Sequence, residues 1–476
     1  MNRILATLLL LVVVSPASLF SQHPADTPLS LAMAKMEQEG ALKSGSFSMS
    51  AVNLDNGQAI VDHYAQRSMV PASIMKIVTT AVALEKLGPN FQFKTPVSGV
   101  KNPETGLLNG NIYIQASGDP TLQSKYYSSM PSSIDQIAEA LQGNGKNKGI
   151  LIVDASIFGK YNTPRGWVWE DMGNYFGSTP SALMWRDNMI KVFLNSSQVG
   201  NPVMLSPKTK GLDGYTLDLS IESSSSSRDD AWFFSSPNSD VIYAKGSIPS
   251  NRANFLVKAS HPDPMNGFAK EVLSESRLVN MEPRIEYTHI ERSNLETLTT
   301  LVSPPLTAIV KLCNMKSINL YAEALNIQLD EKAKGKTVEG GIAAIESHLK
   351  GKQVNLRGVR IMDGSGLSPL NRMTAEAMTG ILALAYRSDV KDYFLGSLPV
   401  AGQSGTLARY FKGTKADGNV RAKSGTMSGV RNYAGYLTNR HGETVAFCIM
   451  LNDYDESRKT QVMQRIEEIL VAIIEQ

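Results

Sequence analysis

The chain has 476 residues, 42% hydrophobic and 19% charged, which is more than one hydrophobic core usually serves and points to two or three domains. Its 47 Lys and Arg against 44 Asp and Glu leave a net charge of +3, too near balance for a nucleic-acid-binding surface. The six His, at 23, 63, 261, 289, 348 and 441, are scattered without zinc-like spacing, and no G-x-S-x-G elbow is present, so neither a metal site nor an α/β-hydrolase triad is expected and no cofactor is called for.

Residues 1–21 have the form of an export signal. Arg3 supplies the positive end, Ile4 to Val14 form an apolar run too short to span a bilayer, and Ser15 to Ser21 turn small and polar. Cleavage is expected near Ser21-Gln22, with release outside the cytoplasmic membrane and no integral span.

Residues 46–63 read as two strands around the turn Asp55-Asn-Gly57, with Phe47, Met49 and Ala51 alternating before it. Pro71-Ala-Ser-Ile-Met-Lys76 follows, and the stretch Ile77 to Leu87, free of Gly and Pro and ended by Gly88, predicts a buried helix with Ser73 on its first turn. An offset of three residues puts Ser73 and Lys76 on one helix face. Free N–H groups and the positive dipole end favour negative charge developing beside Ser73, and an amine next to a weak hydroxyl nucleophile can act as its base.

From about Phe91 to Pro305 the texture changes to short apolar runs broken by Gly, Pro, Asn and Ser, which reads as β-rich insertion. Within it Ser223 to Ser227 is expected to be an exposed loop. Helical patterning returns at Leu306 to Leu329 and at Val338 to Leu349. Asn432 to Leu437 and Thr444 to Leu451 alternate around Asn439-Arg-His-Gly442 as a hairpin, and a last helix from about Gln461 puts Val462, Ile466, Ile469, Leu470, Ile473 and Ile474 on one face. Its other face carries Glu467, Glu468 and Glu475 rather than basic residues, so packing on the sheet is preferred to lying on a membrane. Cys313 and Cys448 lie in apolar surroundings and read as buried free thiols, although spacing alone does not show whether they meet.

S-x-x-K recurs by chance in a long chain; Ser317-Ile-Asn319 and Lys423-Ser-Gly-Thr426 make the case. S-x-x-K, S-D-N and K-T-G in this order are the signature of penicillin-binding proteins and class A β-lactamases. Here Ile318 stands at the middle of S-x-N, and Ser424 replaces the threonine of K-T-G while retaining a hydroxyl. Gly118-Asp-Pro-Thr-Leu122, Asp154-Ala-Ser-Ile-Phe158, Gly166-Trp-Val-Trp-Glu-Asp171, Asp363-Gly-Ser-Gly-Leu-Ser368 and Leu398-Pro-Val-Ala-Gly402 with Gly405-Thr-Leu407 resemble the low-molecular-mass class C penicillin-binding proteins, the D-alanyl-D-alanine carboxypeptidase/endopeptidases. The resemblance spans nearly the whole mature chain. The 317 − 73 = 244 residues between the first two elements leave room for inserted domains that a single-domain β-lactamase lacks.

The resemblance implies an α/β (α+β) catalytic domain of the serine β-lactamase/DD-peptidase type, with an antiparallel sheet and helices, interrupted by two inserted β-rich domains. Its first part is expected at 22–90, the insertion at 91–300 and its second part at 301–476. Ser73 would attack the penultimate D-Ala carbonyl with Lys76 as base, Ser317 would relay a proton to the leaving amine, and Asn319 would hold the substrate backbone. Lys423, Ser424, Gly425 and Thr426 would bind the terminal carboxylate, with the N–H groups of Ser73 and Thr426 as oxyanion hole. Asp171 matches a family position facing the free amine of diaminopimelate. Partners implied are peptidoglycan stem peptides and β-lactam antibiotics.

Each residue has a plainer reading: Lys76 a solvated helix lysine, Asn319 a helix-surface residue, Lys423 a strand-end charge, Ser424 and Thr426 turn formers, Asp171 a loop residue near Trp167 and Trp169. Asp363-Gly-Ser-Gly366 reads as a tight turn. The competing functions are a β-lactamase, which adds rapid deacylation, and a non-catalytic β-lactam-binding or wall scaffold protein, which would not need every acylation group.

Overall fold

The computed structural model describes residues 27–289 and 294–476; the expected export signal lies outside them. Helix α1 (Pro28–Glu37) starts where Thr27 Oγ1 accepts from the Ser30 N–H and Pro28 fills the first helical position. The alternation at 46–63 is realised as β1 (Ser46–Asn53) and β2 (Ala59–His63). Helix α2 (Met75–Leu87) is buried around its circumference from Met75 to Leu84 and ends at Gly88, whose φ of 84° needs glycine. Ser73 stands just ahead of α2 on a 3-10 turn, Ala72–Ile74, rather than within the α-helix itself.

The segment that follows is built from β3 (Lys94–Lys101), β4 (Leu108–Gln115), α3 (Ser133–Ala140), β5 (Gly149–Asp154), the single turn α4 (Trp169–Met172), β6 (Met189–Asn195), β7 (Met204–Leu205) and β8 (Thr216–Ser224). It continues through β9 (Asp230–Phe234), β10 (Val241–Pro249), β11 (Phe255–Ser260), α5 (Pro264–Glu275), β12 (Met281–Glu286) and β13 (Glu296–Val302). These strands form a five-stranded sheet in the order β12-β5-β4-β3-β13 and two three-stranded sheets, β8-β10-β9 and β11-β6-β7. The smaller sheets share a core of Val192, Leu194, Ile221, Phe233, Ile242 and Val257. Strand-rich texture hid α5, whose start is nevertheless marked by Asp263 accepting from the Asn266 N–H and by Pro264; Phe268, Ala269 and Val272 bury its inner face. The serine run is also less exposed than expected. Ser223 is buried within β8, accepting from the Ser197 N–H, Ser224 ends the strand, and only Ser225 to Ser227 lie in the turn.

The chain then forms α6 (Leu306–Lys316), α7 (Asn319–Gln328), α8 (Val338–Gly351), α9 (Ala375–Arg387), α10 (Lys391–Ser397), β14 (Arg421–Met427), β15 (Val430–Thr438), β16 (Thr444–Asn452) and α11 (Lys459–Ile474). Strands from both ends of the chain make one antiparallel sheet, β14-β15-β16-β1-β2. Ala446, Cys448 and Met450 of β16 face the helical layer containing α2 and α9, while Val445, Phe447, Ile449 and Leu451 face α1 and α11. Burial on both faces is why β16 reads as a near-continuous apolar run. All the apolar residues expected on one face of α11, from Val462 to Ile474, are buried against the sheet. Cys313 and Cys448 are both buried free thiols. Among the described residues no helix is long and apolar enough to cross a membrane.

Candidate active site

The helix expected over 306–329 is broken. Ser317 adopts left-handed backbone (φ 57°, ψ 46°) and caps α6 by donating its N–H to the Cys313 carbonyl, and α7 restarts at Asn319. In a continuous helix, side chains two positions apart point about 200° from each other. The break turns both inward, so that Ser317 meets Lys423 and Asn319 meets Lys76.

Lys76 is fully buried, and its ammonium has three acceptors for its three N–H bonds: Ser73 Oγ at 3.0 Å, Asn319 Oδ1 at 2.6 Å and the Ser365 carbonyl at 2.6 Å. Two are carbonyl-type oxygens that only accept. When Lys76 is neutral, those two keep its N–H bonds and the lone pair is left facing the Ser73 hydroxyl. Burial is the main cause that brings the Lys76 ammonium down to about 8; Cys313, Asp363 and Glu323 oppose it. Lys423, also fully buried, donates to Ser317 Oγ at 2.9 Å and to the Ser424 carbonyl at 2.8 Å. Burial and then the Lys76 charge hold it well below the ordinary lysine range. Acylation is therefore expected to rise with pH as Lys76 loses its proton through about 8 and to level off above, measured as the rate of labelled-penicillin attachment between pH 6 and 10. A flat profile would remove Lys76 as the base.

The Ser73 turn is held from both sides. Asn432 Nδ2 on β15 donates to the carbonyls of Val70 and Pro71 at 2.9 and 2.8 Å, and Asn452 Oδ1 on β16 accepts from the Val70 N–H at 2.7 Å. Strand β14 passes so close that a Cβ on Gly425 would lie 2.6 Å from the Pro71 carbonyl oxygen and 3.1 Å from the Ser73 nitrogen. On the other side Gly366, at φ 83°, abuts the Ala72 carbonyl where no side chain fits. The turn read from Asp363-Gly-Ser-Gly366 is real: the Asp363 carboxylate accepts from Gly366 N, Ser368 N, Asn371 Nδ2 and Trp167 Nε1 at 2.6–2.9 Å. The loop it shapes presents the Ser365 carbonyl to Lys76.

Along β14, Lys423 lies beneath the surface while the Ser424 and Thr426 side chains are more accessible. Ser424 Oγ donates to Thr406 Oγ1 at 2.8 Å, and Arg431 Nη1 donates to Thr426 Oγ1 at 2.7 Å. Asp171 makes no hydrogen bond or ion pair to this group. It sits half-buried on α4, in the segment that reaches the site at Phe176, whose carbonyl accepts from Asn319 Nδ2 at 2.8 Å. Burial, and then Glu170, push its carboxyl up to about 6. Residues the sequence reading passed over are Thr406, Arg431, the carbonyls of Phe176 and Ser365, and Glu323. The last is buried one turn along α7 from Asn319, and its two oxygens accept from the N–H groups of Gly364 and Ser365 at 3.0 and 2.8 Å. The only local signal was an acid inside the apolar window Leu320 to Ile327.

A profile of the D-Ala-D-Ala carboxypeptidase 3 (S13) family matches residues 29–473. The chain belongs to this family. It is 28% identical over 435 residues to the D-alanyl-D-alanine carboxypeptidase of Actinomadura sp. (strain R39), covering 88% of this chain and 79% of the relative. Identity to the D-alanyl-D-alanine carboxypeptidase DacB of Haemophilus influenzae is 25% over 423 residues, 85% of each chain. The crystal structure of penicillin binding protein 4 from Haemophilus influenzae superposes with a TM-score of 0.78 at 24% identity, covering 92% of this chain and 97% of that one. The same Haemophilus protein in complex with a β-lactam gives a TM-score of 0.74 at 22% identity, covering 92% and 99%. The S13 peptidase thus has the α/β fold expected of the low-molecular-mass class C penicillin-binding proteins, and it is a serine-type D-Ala-D-Ala carboxypeptidase.

Proposed function

We propose that Ser73 is the nucleophile of this S13 peptidase and forms an acyl-enzyme with D-alanyl peptides, releasing terminal D-Ala and opening D-Ala–diaminopimelate cross-bridges of peptidoglycan. The observation that carries the reading is Lys76: fully buried, its charge weakened, and held by two carbonyl oxygens so that its remaining position meets Ser73 Oγ at 3.0 Å. Ser73 gives its proton to Lys76 as its oxygen attacks the carbonyl, and the N–H groups of Ser73 and Thr426 receive the oxyanion. Ser317, on the Lys423 ammonium, returns a proton to the leaving amine. Ser424 and Thr426 offer hydroxyls to the substrate carboxylate, with Lys423 beneath and Arg431 behind supplying positive charge. Water then hydrolyses the ester.

Residues 91–300 form the inserted part, and the turn at Phe176 within it meets Asn319. The protein acts outside the cytoplasmic membrane after loss of residues 1–21.

Benzylpenicillin acylates the same serine, and its tethered leaving group keeps the deacylating water out. Intact-protein mass spectrometry with peptide mapping is expected to find a long-lived adduct on Ser73. An adduct on another residue, or turnover fast enough to leave none, would move the reading to another nucleophile or to a β-lactamase.

Asp171→Asn is expected to lower activity on peptides with a free diaminopimelate amine by about 10–100-fold relative to N-acetylated D-Ala-D-Ala, since an ammonium–carboxylate hydrogen bond in a partly desolvated groove contributes about 1.5–3 kcal/mol. Comparing kcat/KM ratios cancels general damage to the fold. Equal losses on both substrates would leave Asp171 a structural residue of α4.

A further inference from the structure

The loop that presents the Ser365 carbonyl to Lys76 is clamped between two helices. From α2, Thr79 Oγ1 donates to the Gly364 carbonyl and Lys76 Nζ to the Ser365 carbonyl, both at 2.6 Å. From α7, Glu323 takes the other side, its two oxygens accepting from the N–H groups of Gly364 and Ser365 at 3.0 and 2.8 Å. The fit leaves no slack, because a Cβ on Gly364 would stand 2.7 Å from Asn326 Cβ and 2.8 Å from the Ala322 carbonyl oxygen. A single residue, Ser365, thus joins the Glu323 carboxylate to the Lys76 amine, with its N–H at one end and its carbonyl at the other.

Glu323 is fully buried, and burial and then the Asp363 charge push its carboxyl up to about 8, the range in which Lys76 loses its proton. Both its oxygens face N–H donors, which is the arrangement of a carboxylate. The titratable groups facing Lys76 and Glu323 are Cys313 from α6, Asp363 from the loop and Lys423 from β14. Those of α8, which also packs on α7, are engaged elsewhere: Glu339 with Arg165 at 3.5 Å, Glu346 with Lys350 at 3.2 Å and His348 with Glu85 at 2.8 Å.

We propose that Glu323 is a positioning residue of the acylation step, which acts through Ser365 to hold the Lys76 amine on Ser73 and whose buried charge sets the pH at which that amine becomes a base. This role rests on Lys76 being the base. Glu323 touches neither substrate nor nucleophile; it fixes the carbonyl that takes one N–H of Lys76, and with Asn319 Oδ1 taking another the lone pair is left for Ser73.

The test is the rate of labelled-benzylpenicillin attachment between pH 6 and 10, with the thermal midpoint of each variant measured alongside. Glu323→Gln removes a charge that favours the Lys76 ammonium, so Lys76 loses its proton more easily and the midpoint of the profile is expected about one pH unit lower. Its plateau is expected to fall about tenfold, because the new NH2 opposes one N–H of the loop and the Ser365 carbonyl shifts on Lys76. Glu323→Asp keeps the charge but is one methylene shorter, and is expected to lower the plateau while leaving the midpoint in place, whether or not Glu323→Gln folds. A residue that only stabilised the fold would lower the plateau of the glutamine variant without moving its midpoint. That result, or either folded variant acylating as the unaltered protein does, would overturn the proposal. Lys76→Ala in the same series keeps the two readings apart: if it acylates at the unaltered rate the base lies elsewhere, whereas a silent Lys76→Ala beside an unmoved glutamine midpoint removes the role of Glu323 alone.

Discussion

Lys76→Ala is expected to slow acylation of Ser73 by about 10²–10⁴-fold, the usual contribution of a positioned general base. The lysine is replaceable by nothing nearby: Asn319 Oδ1 and the Ser365 carbonyl accept hydrogen bonds but take no proton at neutral pH, and Lys423 is engaged with Ser317 and the Ser424 carbonyl. Truncation also leaves those two oxygens without their donor. Lys423→Ala is the informative contrast. It takes away charge beneath the carboxylate subsite and the partner of Ser317, so substrate recognition is expected to suffer more than penicillin acylation. Stopped-flow acylation with a labelled penicillin, set beside the unfolding midpoint of each variant, separates chemistry from stability. Acylation of Lys76→Ala at the unaltered rate would overturn the assignment of the base.

The parts of this site that were legible in the sequence are those whose relation is local or carried by a string. Ser73 and Lys76 stand three residues apart, and the helix that joins them is marked by its apolar stretch and by Gly88. The sheet was legible at two of its hairpins, where alternation around Asp55-Asn-Gly57 and Asn439-Arg-His-Gly442 showed paired strands. Two things were not. One is backbone that departs from its neighbours' preference. Ser317 in left-handed geometry has no compositional signature, since the residues around it favour helix; α6 and α7 on either side of the break each pack against α2. The other is pairing across long separations. Glu323 to Gly364 and Ser424 to Thr406, 41 and 18 residues apart, are fixed only once the sheet and helices are in place, and each residue alone reads as an ordinary polar position. The insertion followed the same division: its strands were visible as texture, whereas α5 needed Asp263 and Pro264 to be weighed as a start signal.

Gly425→Ala is expected to cost about 10²-fold in acylation rate, although it alters no functional group. Gly425 lies flush against the nucleophile turn, and the added methyl would stand 2.6 Å from the Pro71 carbonyl oxygen and 3.1 Å from both the Ser73 and Ile74 nitrogens. These are backbone atoms, so no side chain can swing away. The turn itself is anchored by Asn432 and Asn452 and already holds Ala72 at φ 46°, so relief must come from moving β14 and Ser73 apart. A shift of about 1 Å between reacting groups is enough for a loss of about 10²-fold. Overpacking of this kind costs about 1–3 kcal/mol, which a chain with cores on both faces of its central sheet can absorb while staying folded. The expected pattern is therefore a modest fall in thermal midpoint with a large fall in acylation rate. The alanine variant acylating as fast as the unaltered protein would mean that β14 yields freely, and that the spacing between Gly425 and Ser73 does not set the geometry of attack.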